Sequence, residues 1–427
     1  MPLEHFRHDN VTVNTTDTSA KSKGTGRKLA GWACVVAITV LATHLADKAF
    51  TAHATGTGAA ARQAPKNLPA WGELVTYDFQ FEQPKEYLGF VQTDNLETVW
   101  HFGGLTLVKQ VHDLLLEAGL TEAEAAEALS TDRVTVTARG IDLRPTGELV
   151  LGLSPAVREK LYARLAPQTE NAYINAPCFI PDGDVATFFE GSGVATETLA
   201  LIKKLLYTHG VYHYFSDVEL VMNHIPTAEG RFALIKALSR QDAVMARLRI
   251  RPDTDIDKLV AYWGEAPGVR TKDLRPLMES QQRLPDGGAI SLLYVLPPFA
   301  RERLYTSPLP PTAGGAPSDC HWTTLNFFRE VPDNRFSDAA FASGYVESNY
   351  YQIASPGLYG DLVLVVSREG RVIHSAVYLA DDIVFTKNGA NVAQPWVLMR
   401  MKNLLGVYCT LANTDEPRLL VCRAKSR

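Results

Sequence analysis

The stretch GDLVLVVSREGRVIHSAVYLADDIVFTKNG, residues 360–389, decides how the last third of the chain folds. Its apolar runs are short, rich in β-branched residues, and broken by REG, ADD and NG, each a turn signal. It predicts strands at 362–366, 372–379 and 383–387, with turns at 368–370, 380–382 and 388–389. Ahead of it, SDCHWTTLNFF, residues 318–328, predicts one helix whose Trp322, Leu325 and Phe328 form an apolar face. After it, LLGVYCTL and RLLVCRA, joined by ANTDEP, read as two more strands in a hairpin. A helix followed by a run of antiparallel strands is an α+β unit.

The helix carries the chemistry. With Ser318 or Asp319 as its cap, Cys320 falls in the first turn. There the unpaired N–H groups and the positive end of the helix dipole favour a thiolate, which is the nucleophilic form. The same N–H groups suit an oxyanion formed as a carbonyl is attacked. A buried structural cysteine is the plain alternative. A cysteine nucleophile needs a base within hydrogen-bond reach. His374 lies mid-strand on the face of Val372, Ala376 and Tyr378, and a histidine in so apolar a strand needs a partner or a task. Small Ala376 beside it leaves room for a helix to approach.

Together, DC opening a helix, GDLVLV, and HSAVYLADD resemble the NlpC/P60 cysteine peptidases of the papain-like fold. The resemblance covers residues 307–427 and implies Cys320 as nucleophile and His374 as base. Gly360 and Asp361 match the family's Gly-Asp turn, and Tyr378 its strand tyrosine. It implies an amide substrate in cell-wall peptides of a bacterium, and a polar residue on the next strand that orients the imidazole. Thr386 stands at the family's usual spacing. Asn388 is preferred, because a side-chain amide is the orienter in papain-like enzymes, although KNG is also a turn signature. The chain departs from the family in having His321-Trp322 after the cysteine and Ala376 in place of a glycine. His321 is expected at the surface; Lys387 could turn inwards, but a lysine beside a turn is expected in solvent.

Upstream, residues 29–46 form an uncharged apolar run preceded by Lys21, Lys23, Arg27 and Lys28. Its length and basic flank predict a transmembrane anchor following a disordered cytoplasmic tail, residues 1–28. A cleaved signal peptide, with AHA at 52–54, is the rival. Either places the body outside, beyond an inner (cytoplasmic) membrane that the anchor crosses once. Residues 51–67 read as a flexible linker. Of the five cysteines, Cys409 and Cys422 are the candidates for a disulfide, though the simplest hairpin sets them diagonally.

Residues 68–300 read as a mainly helical accessory domain. TLVKQVHDLLLEAG predicts a helix stopped by Gly119, LTEAEAAEALS a capping box of Thr121 and Glu124, and SPAVREKLYARLAP a helix capped by Ser154 with Pro155 first. ETLALIKKLLYTHG predicts a helix running to Gly210, and RVTVTARGIDLRPTGELVLGL a hairpin. The proline-rich SPLPPTAGGAPSD, residues 307–319, marks a domain boundary. His209 and His213 lack a third ligand at a recognisable spacing, so no metal and no cofactor are expected. A net charge of −5 without a basic stripe argues against nucleic acid as a partner. The expected function is therefore a membrane-tethered cysteine hydrolase. An inactive papain-like envelope scaffold is the alternative, and an activity housed in the helical region a third reading.

Overall fold

The computed structural model describes residues 68–88, 96–264, 271–308, 318–391, 393–412 and 418–426. The fold is mixed α+β with antiparallel sheets. Its largest sheet has six strands in the order Tyr350–Ile353, Arg418–Ala424, Leu362–Val366, Val372–Ala380, Ile383–Lys387 and Trp396–Arg400. Every neighbouring pair is antiparallel. The three middle strands follow the turns read from sequence, with Gly370 (φ 85°) and Gly389 (φ 78°) at the bends. Such positive φ values suit glycine, which has no Cβ to clash.

The helix Cys320–Asn326 packs on strands Val372–Ala380 and Ile383–Lys387 through a large apolar core. Trp322, Leu325 and Phe327 meet Val377, Phe385 and Leu398 there. Phe385 is fully buried and lies 5.3 Å from Phe327, centroid to centroid. Emptying such a position costs about 3–5 kcal/mol.

The proline-rich break does not divide this core. Val244, Leu248, Trp263 and Leu296, all upstream of it, belong to the same cluster, and residues 70–427 form one compact unit. Strand Glu73–Phe81 pairs with Gln241–Ile250, which pairs with Gly288–Ser291. The chain between Phe81 and Gln241 forms a lobe with its own core, including Trp100, Leu115, Leu161, Tyr162 and Phe215. Within it Arg158, fully buried, donates to Asp217 (3.1 Å) and to the carbonyls of Val150 and Leu153 (2.6 and 3.2 Å). Tyr162 also donates to Asp217. This arrangement satisfies a buried charge from several sides.

Several local expectations hold. Helix Val108–Ala118 ends on left-handed Gly119, Thr121 and Glu124 form the capping box, and Ser154 caps Pro155–Leu165. Others are corrected. The helix expected to reach Gly210 stops at Leu205, because YTHGVYHYF is aromatic-rich and folds as the hairpin Tyr207–His209 and Tyr212–Phe215 around Gly210. The hairpin in residues 133–143 is present, but GELVLG is a helix capped by Thr146. LLGVYCTL is not a strand: Met401–Tyr408 is a helix with Leu404 buried. That moves Cys409 away from the strand of Cys422, whose register partners are Gln352 and Leu362, and both cysteines are free.

Among the described residues no helix is long and apolar enough to cross a membrane. This runs against the single-pass inner-membrane placement and the transmembrane helix expected from sequence, and both are withdrawn. The expected anchor, residues 29–46, the tail before it and the linker 51–67 lie outside the described residues.

Candidate functional site

Asp319 begins the helix: its carboxylate accepts from the Trp322 N–H at 2.7 Å, making Cys320 the first helical residue. Cys320 is buried, with 5% of its surface exposed. Strand Val372–Ala380 alternates beneath it. Ser375 donates to Thr324 of the helix (3.2 Å), and Val377 joins the core on that side. Ala376 and Tyr378 belong to the core on the other face. The register with the next strand ends at Val377–Phe385. His374 lies beyond that pairing, but on its other side it is in register with Val365, next to an irregularity between Val365 and Val366.

His374 is fully buried. Its Nε2 is 2.8 Å from the hydroxyl of Thr386, itself fully buried. Its Nδ1 has no hydrogen bond of ordinary geometry among the described residues. Burial pulls the His374 pKa below its usual value, and Cys320 is the largest influence acting against that pull. With Nε2 held by Thr386, Nδ1 is the nitrogen left to face the thiol. A proton on Nε2, donated to Thr386, leaves the Nδ1 lone pair free to accept from sulfur. The Tyr408 ring stacks on the imidazole at 4.1 Å and 19°, fixing its plane.

Asn388 does not orient the imidazole. Its amide N–H₂ donates to Gln241 (2.9 Å), and its Oδ1, although buried, has no partner. The strand ends at Lys387, and the turn carries Asn388 away, so Thr386 takes the place for which Asn388 was preferred.

Lys387 is the residue the sequence hid. It was expected in solvent, yet it is fully buried and its Nζ donates to the carbonyls of Gly389 (2.7 Å) and Asn391 (3.0 Å). Burial lowers its pKa to about 8, against the attraction of Cys320 and Asp319. His321 is not a free surface group either: its Nδ1 lies 2.9 Å from the Ser375 hydroxyl, and burial lowers its pKa. Nothing in a strand-ending TKNG marks its lysine as buried. Only the fixed turn carbonyls make that placement tolerable.

The Gly-Asp turn is structural. Gly360 has φ 97°. Buried Asp361 accepts from the Gly357 and Leu358 N–H groups (2.9 Å each) and from Arg423 (2.8 Å at each oxygen). Tyr378 is buried, and its phenol pKa is pushed up to about 12 by burial. His209 and His213 bond separately, to Glu159 (3.1 Å) and Thr208 (3.2 Å).

Burial pushes Cys178 and Cys409 up to about 12 and raises Cys422. The chain matches no family model, no curated protein and no solved structure.

Proposed function

We propose that the protein is a cysteine hydrolase that cleaves an amide bond through Cys320 and His374, on a papain-like helix-and-sheet module. The reading rests on one observation: a cysteine is the first residue of a helix, and a fully buried histidine has one ring nitrogen held by Thr386 and the other without a hydrogen-bond partner among the described residues. His374 Nδ1 takes the thiol proton, and Cys320 Sγ attacks the substrate carbonyl. The N–H groups of Cys320 and His321 stabilise the oxyanion. The imidazolium hands its proton to the leaving amine, and water then hydrolyses the thioester, releasing the acid and the free thiol. Thr386 accepts from Nε2–H in the reactive tautomer, and Tyr408 holds the ring plane. The resemblance to NlpC/P60 peptidases supports cell-wall peptides as the substrate class.

The experiment is incubation of the full chain with peptidoglycan fragments and mass spectrometry of the products. A hydrolysed amide that disappears in Cys320→Ser supports the reading. The same products from Cys320→Ser would place the activity elsewhere. The burial of Cys320 favours a second reading, an inactive module that only binds. Reaction of Cys320 with iodoacetamide no faster than in denatured protein supports that alternative.

A further inference from the structure

A cleft of about 560 Å³ lies between the lobe and the six-stranded sheet, and it touches the proposed catalytic pair through one residue. Tyr408 lines the cleft and stacks on His374. The loop of Asn388, Gly389 and Asn391 forms another wall, and buried Lys387 fastens that loop by its carbonyls. Phe179, Phe188, Ile235 and Val407 make much of the remainder apolar.

Three buried polar atoms on this wall have no partner among the described residues: Asn388 Oδ1, Gln394 Oε1 and the Thr410 hydroxyl. Asn388 is 8% exposed and its Oδ1 has no partner; Thr410 is 3% exposed and its hydroxyl has none. Leaving buried polar atoms unpaired is costly, so such atoms beside a cavity mark a place for something from outside the chain. Asp242 adds the charge. Its carboxylate accepts from Gln80, and burial pushes its pKa up to about 6, so it is ionised above neutrality. Arg240, the cation on the same wall, is already engaged: it donates to Glu82 (2.7 and 3.1 Å) and to the carbonyls of Phe188 and Glu190. The wall is thus left with a negative charge and three unpartnered oxygens, two of them amide carbonyls that can only accept.

We propose that this cleft is the substrate subsite of the hydrolase and takes a peptide segment carrying a primary ammonium on an apolar stem. Asp242 balances the ammonium, the Asn388 and Thr410 oxygens accept its N–H groups or those of the adjacent amide, and the apolar wall covers the stem. This inference rests on the hydrolase reading above and narrows its substrate class to amine-bearing peptides.

The test uses the full chain and two chloroacetamides of matched length, one with a 4-aminobutyl tail and one with a butyl tail. Alkylation of Cys320 is followed by peptide mass spectrometry. The expected result is saturable labelling, about 10-fold faster with the aminobutyl reagent, as one charge-assisted contact allows. The ratio of the two rates falls to near 1 in Asp242→Asn and is reduced in Thr410→Val, while exposed Glu197→Gln keeps the wild-type ratio. Equal rates in the wild type, or a preference that survives both cleft variants, overturns the inference while leaving the hydrolase reading intact. Calorimetry of phenethylamine binding to Cys320→Ser separates the remaining cases. Binding that is lost in the added Asp242→Asn change, with Cys320 inert to both reagents, keeps the subsite and removes the hydrolase. No binding together with an inert Cys320 overturns both.

Discussion

Thr386→Val removes one oxygen from the site and almost no volume. The hydroxyl it deletes lies 2.8 Å from His374 Nε2, and both residues are fully buried, so water has no route to replace it. An N–H left unpaired in such surroundings costs about 1–3 kcal/mol of fold stability. The reactive tautomer is held by the same contact, so a comparable penalty falls on the proton transfer, and about 1.4 kcal/mol is tenfold in rate. Cys320 alkylation by iodoacetamide at pH 7.5 is therefore expected to slow by about 10- to 100-fold, with Thr386→Ser recovering most of the loss. The acid limb should move as well. The hydroxyl stabilises the imidazolium by accepting from Nε2–H, so its removal lowers the His374 pKa further and shifts the limb to lower pH. A Thr386→Val protein that labels at the wild-type rate with an unshifted limb would refute this role for the hydroxyl.

Other perturbations read different parts of the structure. Lys387 has a folded pKa of about 8, below the usual 10.5. Between those values the unfolded chain holds a proton that the folded chain lacks, so stability rises with pH. Denaturant titrations at pH 7.5 and 9.5 should show the wild type gaining about 2 kcal/mol relative to Lys387→Met across that interval. For His374, also depressed, stability is full above the unfolded value of about 6.5 and falls as pH drops through the lower folded value. His374→Gln should flatten that acid loss in the same titration. Arg158→Met strands buried Asp217 and should cost about 3–5 kcal/mol in urea, with the melting temperature falling accordingly.

The elements legible in the sequence were those with local causes. The strands of residues 362–387 follow their turn residues, and the cysteine helix follows its Asp319 cap. A helix start and an apolar strand make Cys320 and His374 conspicuous in the sequence as candidates. What stayed hidden depends on long-range packing. The apolar run LLGVYCTL passes for a strand, yet Met401–Tyr408 folds as a helix whose Tyr408 stacks on His374. Tyr214 of the lobe donates to the Gly406 and Cys409 carbonyls at that helix's end (2.7 and 2.9 Å), a contact no local pattern announces. Choosing between Thr386 and Asn388 turned on where the strand ends. Lys387 was misread because burial of a lysine is governed by carbonyls that only the folded turn supplies.

The most direct test of the central claim is the iodoacetamide alkylation rate of each cysteine in the native full chain, wild type against His374→Ala, resolved by peptide mass spectrometry. The account predicts that Cys320 reacts at least 100-fold faster than Cys178, Cys409 and Cys422, and that this advantage collapses in His374→Ala. A Cys320 that reacts no faster than those three, or equally fast without the imidazole, contradicts it.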